Sequence, residues 1–224
     1  MTSKVYPKKA LSVDIERNFF RHQGLIMKPV EDFEIFNGFS CCSPDDNDVD
    51  IDEFIRHDAR RHFKDKVAVT YGLFLDEPDK DHYPLGFATL QNDAIRMEGT
   101  KYPYTNMPAV KIGRFGIRCE IQGMGFGANF LAMIRMFMSQ ADNRTGCCYL
   151  TLNTYPIPKL LKFYDDNNFL VLDGLPKNPK PTKQLIMYLD LVKSSAYRPP
   201  RQLKKPQIHI PKPHKQKKSR TNPR

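Results

Sequence analysis

The sequence predicts one mixed α+β domain with a strand–loop–helix unit near its middle. Three observations predict it. Short β-branched and aromatic runs alternate with stretches whose apolar residues recur at helical spacing. Three alternate glycines, Gly123, Gly125 and Gly127, open one of those helices. The whole charge excess of the chain lies in residues 194–224, so the body that must fold is electrically balanced.

With 224 residues the chain can build one good-sized core but hardly two. A hydrophobic fraction of 40%, with 15 Phe, supplies the bulk for it. No apolar run reaches bilayer-spanning length. The start, Met1 to Lys9, is positive but has no apolar stretch behind it, so a cytoplasmic location is expected. Cys41-Cys42, Cys119 and Cys147-Cys148 are odd in number and lack C-x₂-C spacing, so buried, reduced thiols are expected rather than a disulfide framework or a zinc site.

The net charge is +10, from 35 Lys+Arg and 25 Asp+Glu. Residues 194–224 hold ten of those bases and no acid, which leaves 25 bases against 25 acids in residues 1–193. The same segment holds six of the 18 prolines. Pro-rich, like-charged sequence buries too little apolar surface to offset its ordering entropy, so this tail is expected to be extended and disordered. Ten bases displace condensed counterions from a polyanion, so the tail is expected to bind nucleic acid, RNA more than DNA. Tyr197 is its one aromatic for base stacking, and no amphipathic anchor adjoins it, so no membrane partner is expected.

Residues 12–22 have the pattern of a short helix stopped near Gly24. Asp50-Ile51-Asp52-Glu53 has capping-box spacing, and Ile51, Phe54, Ile55, Ala59 and Phe63 then share a helical face. Residues 67–75 and 85–90 read as a strand hairpin around the acidic turn 76–84. An irregular connection over 96–107 leads to a strand at 110–117, whose Gly113 and Gly116 suggest a bulge or a close approach. Gly125 to Ala141 reads as an amphipathic helix with the stripe Phe126, Phe130, Met133, Ile134, Phe137 and Met138. Strands at 147–152, 169–172 and 185–191, with a helix around Leu160, Leu161, Phe163 and Tyr164, complete the domain.

Chemistry concentrates at Gln122-Gly123-Met124-Gly125-Phe126-Gly127. Alternate glycines let the backbone curl with its N–H groups inward, and the helix behind them adds unsatisfied N–H groups and a positive dipole end. Such a place binds an anion, typically a pyrophosphate. It is not a dinucleotide fingerprint, because the last glycine is misplaced for G-x-G-x-x-G. Nor is it a Walker loop, because Ala128-Asn129 stand where Lys-Ser/Thr is required. No metal is expected. His57 and His62 are five apart, and Asp45-Asp46-Asn47-Asp48 lacks the Gly and Glu of a calcium loop.

These residues resemble the Q/R-x-x-G-x-G/A motif of the GNAT acyltransferases. Phe163-Tyr164-Asp165-Asp166-Asn167-Asn168-Phe169 is similar to that family's F-Y-x-x-x-G-F element, with Asn168 at the usual Gly. Asn is the next best residue at a left-handed helix end. Within the family the chain resembles the toxin acetyltransferases that modify aminoacyl-tRNA, through Phe39-Ser40-Cys41, the Asp52-Glu53-Phe54-Ile55-Arg56 helix and Gly113-Arg114-Phe115. It departs from them in its N-terminal segment, its basic tail and Met124, where a basic residue is common.

The resemblance implies a twisted, mostly antiparallel sheet of six to seven strands flanked by helices over residues 32–193, after an extension at 1–31 and before the tail at 194–224. It implies acetyl-CoA as cosubstrate and direct acetyl transfer to an amine. Gln122, Gly123, Met124, Gly125, Phe126 and Gly127 would hold the pyrophosphate, and Phe115, Gly116 and Ile117 would pair with the pantetheine arm. Tyr164 is the candidate general acid for the departing thiolate. For Arg114, a contact to substrate phosphates and a plain solvated arginine both stay open; for the general base, Glu120 and a water chain do. The acceptor is an amine carried by RNA, such as aminoacyl-tRNA, or by a nucleic-acid-associated protein. A protein or small amine, with the tail as a localiser, stays open, as does a non-catalytic nucleic-acid binder on the same scaffold. So does a homodimer.

Overall fold

The computed structural model describes residues 19–41, 50–80, 82–140, 146–178, 180 and 182–193. Residues 12–18 of the expected N-terminal helix, the acidic run 45–48 and the tail 194–224 lie outside the described residues.

Eight strands form one sheet in the order β1-β2-β3-β4-β5-β6-β8-β7. They are β1 (Phe20–His22), β2 (Leu25–Pro29), β3 (Val69–Leu75), β4 (Gly86–Arg96), β5 (Asn106–Ile117), β6 (Tyr149–Thr154), β7 (Leu170–Val171) and β8 (Leu185–Asp190). Every pair is antiparallel except β5 with β6, which are joined by a helical crossover, as a parallel pair requires. No helix among the described residues is long and apolar enough to cross a membrane.

The expected helix over 12–22 is corrected at its end. Phe20–His22 is a strand, paired with β2 through a two-residue loop in which Gln23 (φ 51°) and Gly24 (φ 74°) both take positive φ. That backbone matches the right-handed twist of a hairpin. The sheet therefore begins inside the segment 1–31 read as an extension, and its strand count exceeds the six to seven expected.

Between β2 and β3 a helical segment runs through α1 (Asp50–Glu53), a π-helical stretch (Phe54–Asp58) and α2 (Ala59–Lys64). Asp50 is already inside the helix, and its carboxylate meets Arg114, 3.4 Å away. Glu53 faces His57 at 3.4 Å. Helix α3 (Phe126–Met138) crosses from β5 to β6, and α4 (Pro158–Asp166) follows β6.

Successive strand residues face opposite sides of a sheet, and here both sides are covered. On one side Ala88, Leu90, Val110, Ile112, Leu150, Leu152 and Leu189 pack with Phe130, Met133 and Ile134 of α3. On the other, Phe87 meets Phe36 and Phe39 edge-on, at centroid separations of 5.7 and 5.6 Å, within a cluster that includes Phe54 and Ile55. The expected stripe of α3 is buried except Phe137, which is half-buried against the Tyr71 ring. The thiols of Cys41, Cys119, Cys147 and Cys148 are half-buried rather than buried, because all four stand at loop ends beside the sheet.

Candidate active site

Strand β5 carries both irregularities that its glycines suggested. The register to β4 shifts between Thr89 and Leu90, which pair with Arg114 and Ile112, so Gly113 is the extra residue of a bulge. The Thr89 hydroxyl accepts the Arg114 amide at 2.8 Å across that break. At Gly116 a Cβ would lie 2.9 Å from the Phe87 ring and 3.2 Å from the Cys41 sulfur, so only glycine fits.

On its other side β5 pairs with β6 only over Ala109–Ile112, against Tyr149–Leu152. Strand β6 continues to Thr154 beside β8, while β5 continues to Ile117 paired with β4 on its other side. The two parallel strands part. Arg118 N–H donates to the Leu85 carbonyl at 2.9 Å, toward β4. Backbone groups alternate along a strand, so the amides of Phe115 and Ile117 are directed to the side that β6 has left.

Beyond β5 a 3₁₀ turn (Cys119–Ile121) leads into the glycine loop. The amides of Gln122 and Met124 donate to the carbonyls of Cys119 and Ile121, both at 3.3 Å, closing the loop's own turns. Gly123 (φ 75°) and Gly125 (φ 93°) take the left-handed region and reverse the chain between them. Among the described residues the amides of Gly123, Gly125, Phe126 and Gly127 have no acceptor, those of Phe126 and Gly127 because they begin α3. Of the six loop residues expected at the pyrophosphate, four therefore retain donors. Gln122 ties the loop instead: its Nε2 donates to the carbonyls of Cys41 (2.6 Å) and Ile117 (3.0 Å). The Met124 side chain points to solvent.

Gly127 also lets α4 approach. A Cβ there would meet the Phe163 ring at 3.2 Å and the Ile117 side chain at 3.6 Å. Phe163 in turn lies 6.3 Å from the Phe115 ring and 5.1 Å from Tyr164, centroid to centroid. Strand end, glycine loop and α4 thus meet around one aromatic cluster. Helix α4 ends with the Asn168 amide on the Asp165 carbonyl (2.8 Å) and the Phe169 amide on the Tyr164 carbonyl (3.0 Å). With Asn168 at φ 68°, this is a Schellman end, the role expected of the residue that replaces Gly. Phe169 is buried against the Tyr164 ring, which fixes the tyrosine from its C-terminal side. Among the described residues the Tyr164 hydroxyl has no hydrogen-bond partner, and burial pushes its pKa up to about 12.

Arg114 is engaged within the protein. Its Nη1 donates to the Gly113 carbonyl at 3.1 Å, Nη2 faces Asp50, and the guanidinium lies 5.2 Å over the Phe54 ring. It fastens the first turn of α1 to the bulged strand.

Sequence reasoning missed Asp52. This carboxylate is buried and accepts from the Ser40 hydroxyl (2.6 Å), the Cys41 amide (2.9 Å), the Cys41 thiol (3.1 Å) and Arg56 Nη2 (3.4 Å). Burial acts to raise its pKa, but the bonds from Ser40 and Cys41, with the Arg56 charge, outweigh it and hold the pKa below the usual carboxylate value. Through the Cys41 carbonyl this clamp reaches Gln122 and so the glycine loop. Arg118, also missed, is buried between the Tyr83 and Phe39 rings, with Nε on the Pro84 carbonyl at 2.8 Å.

No protein-family model and no curated protein matches the chain. Solved structures do. A Tyr-to-Phe variant of KacT aligns at 21% identity and TM-score 0.59, over 76% of this chain and 96% of that one. AtaT complexed with acetyl-methionyl-tRNAfMet aligns at 20% identity and TM-score 0.59, over 77% and 98%. AtaTR bound with acetyl-CoA aligns at 22% identity and TM-score 0.54, over 74% and 94%. At these identities the shared property is the fold, which is GNAT-like, as the sequence motifs implied.

Proposed function

We propose that the chain is an acetyl-CoA-dependent N-acetyltransferase whose acceptor is an amine carried by RNA, aminoacyl-tRNA above all. One coincidence carries this reading: four amides without acceptors among the described residues, at 123, 125, 126 and 127, follow the point where β5 parts from β6. An extended donor-lined slot that ends at a helix N-terminus suits a ligand with a diphosphate at one end and an amide-bearing arm behind it. The complexes of AtaT with acetyl-methionyl-tRNAfMet and of AtaTR with acetyl-CoA support both the acceptor and the cosubstrate.

In the mechanism the loop amides hold the diphosphate, and the amides of Phe115 and Ile117 align the arm and polarise the acyl oxygen. When bound, acetyl-CoA supplies a thioester, whose carbonyl carbon gains a bond to the acceptor nitrogen as its C–S bond breaks. Tyr164 gives its hydroxyl proton to the departing sulfur. At a pKa of about 12 it stays protonated across the physiological range. The transfer becomes favourable only as the sulfur gains negative charge, so the tyrosine's help comes late in C–S cleavage; the proton shed by the acceptor nitrogen passes through water or Glu120 and restores the hydroxyl. The residues of 194–224 would add a sequence-independent attraction for RNA, and the transferase domain would end at 193.

Calorimetry with acetyl-CoA, followed by incubation with labelled acetyl-CoA, charged tRNA and protein fractions, tests this reading. Saturable binding and label on the RNA-borne amine are expected. Absence of binding at millimolar ligand ends the transferase reading. Label on protein alone ends only the RNA acceptor.

A further inference from the structure

The hairpin of β4 and β5 runs on past the last pairing with β3, at Leu90, and its tip is built from Lys101-Tyr102-Pro103-Tyr104. The chain bends through Lys101, Tyr102 and Pro103, and the rings of Tyr102 and Tyr104 come together on the outside of that bend. They stack, with centroids 5.5 Å apart and planes 16° from parallel. Lys101 places its ammonium 5.4 Å from the Tyr102 ring centre. The Thr100 hydroxyl braces the turn, bonding to the carbonyls of Tyr102 (3.3 Å) and Tyr104 (3.4 Å). The one acid at the tip, Glu98, is matched by Arg96 at 3.3 Å.

Neither tyrosine belongs to any of the three apolar clusters, and they are 42% and 50% exposed. Two large rings held parallel in water add nothing to the core. Beyond what the pair contributes to the turn itself, their exposed faces are open to a flat ligand that stacks on them. The twelve residues of β5 separate this tip from the glycine loop by roughly 35 Å. A small amine acceptor does not span that distance; a polynucleotide does.

We propose that the Tyr102–Tyr104 stack is a platform for an unpaired nucleobase of the RNA acceptor, with Lys101 beside it for the adjoining phosphate. The inference rests on the RNA-acceptor part of the proposed function and is independent of the chemistry at Tyr164.

The test uses the full chain and a fluorescein-labelled single-stranded oligoribonucleotide of about twelve nucleotides, titrated by anisotropy from about 0.05 to 0.4 M salt. Phosphate contacts set the slope of affinity against salt, whereas stacking shifts the whole line. The double variant Tyr102→Ala/Tyr104→Ala is expected to bind about tenfold more weakly at every salt concentration, with the slope kept. Tyr104→Phe, which keeps the ring, is expected to stay within about twofold of the unaltered chain. An unchanged affinity in the double variant overturns the platform, and so does an equal loss in Tyr104→Phe, which would assign the contact to the hydroxyl. Acetyl-CoA calorimetry on the same samples separates the two readings. Loss of RNA binding in a chain that takes up no acetyl-CoA leaves the platform standing and removes the transferase.

Discussion

Tyr164 combines two properties that rarely coincide: a ring fixed on two sides by Phe163 and Phe169, and a hydroxyl without a partner among the described residues. The side chain is half-buried, so its hydroxyl stays open to a bound ligand. Tyr164→Phe keeps the ring packing and removes only the proton. Steady-state kinetics should show kcat falling by about 100-fold, with the acetyl-CoA Kd by calorimetry within about twofold. Asp52 makes a complementary prediction about stability. Its folded pKa is depressed below the ordinary 3.8, so its contribution is whole above that value and is lost as the pH falls through the depressed pKa. Asp52→Asn should therefore cost about 2 kcal/mol in urea unfolding at neutral pH, and the gap should close as the pH drops below 3.8. Tyr164 and the loop glycines were legible because each sits in a contiguous motif. Asp52 was not, because Ser40 and Cys41 stand 12 and 11 residues before it and no periodicity encodes that pairing; only Arg56, its i,i+4 neighbour, follows from helical spacing.

At the scale of elements, legibility followed burial. Strands β3, β5, β6 and β8 and helix α3 all appear within a few residues of expectation, because each buries a face and so carries a clear period. Strand β4 runs on to Arg96, past the apolar stretch that ended the expected strand at Leu90, because its second half is half-solvated. There Asp93 is held by the Thr151 hydroxyl at 2.6 Å rather than by apolar packing. Strand β1 was hidden by its turn, since Gln-Gly is a weaker hairpin signal than Asn-Gly. Helix α4 buries no residue fully and depends on its ends, with Pro158 at the first turn and Asn168 at the last. Replacing Asn168 by Gly removes the residual cost of a side chain at φ 68°, whereas Ala restores that cost without Asn's local bonding. Thermal unfolding should place Asn168→Gly level with or slightly above the unaltered chain and Asn168→Ala about 1 kcal/mol below it. A larger drop for Gly than for Ala would mean that the Asn side chain, not the backbone angle, holds this end.

For the molecule as a whole, the decisive feature is the separation of charge from fold. Residues 1–193 carry 25 bases and 25 acids, and 194–224 carry ten bases alone. A balanced body gives an approaching polyanion no long-range attraction, so steering toward RNA would fall to the last 31 residues. The last strand of the sheet ends at Asp190, and the chain beyond it is fastened by the Val192 and Lys193 amides on the Asp190 carboxylate, at 2.9 and 2.8 Å. Removing 194–224 therefore spares every strand and helix described. The shortened chain should bind acetyl-CoA with unchanged affinity by calorimetry. Its affinity for single-stranded RNA should drop at low salt. The slope of log affinity against log salt should shrink by about 0.7 for each phosphate that the removed bases had neutralised. The tyrosine stack of the β4–β5 tip, which does not act through counterion release, should then account for most of the binding that survives at high salt. If the slope is the same with and without residues 194–224, the phosphate-binding bases lie on the folded body, and the local balance of its charges, not the net, decides where RNA sits.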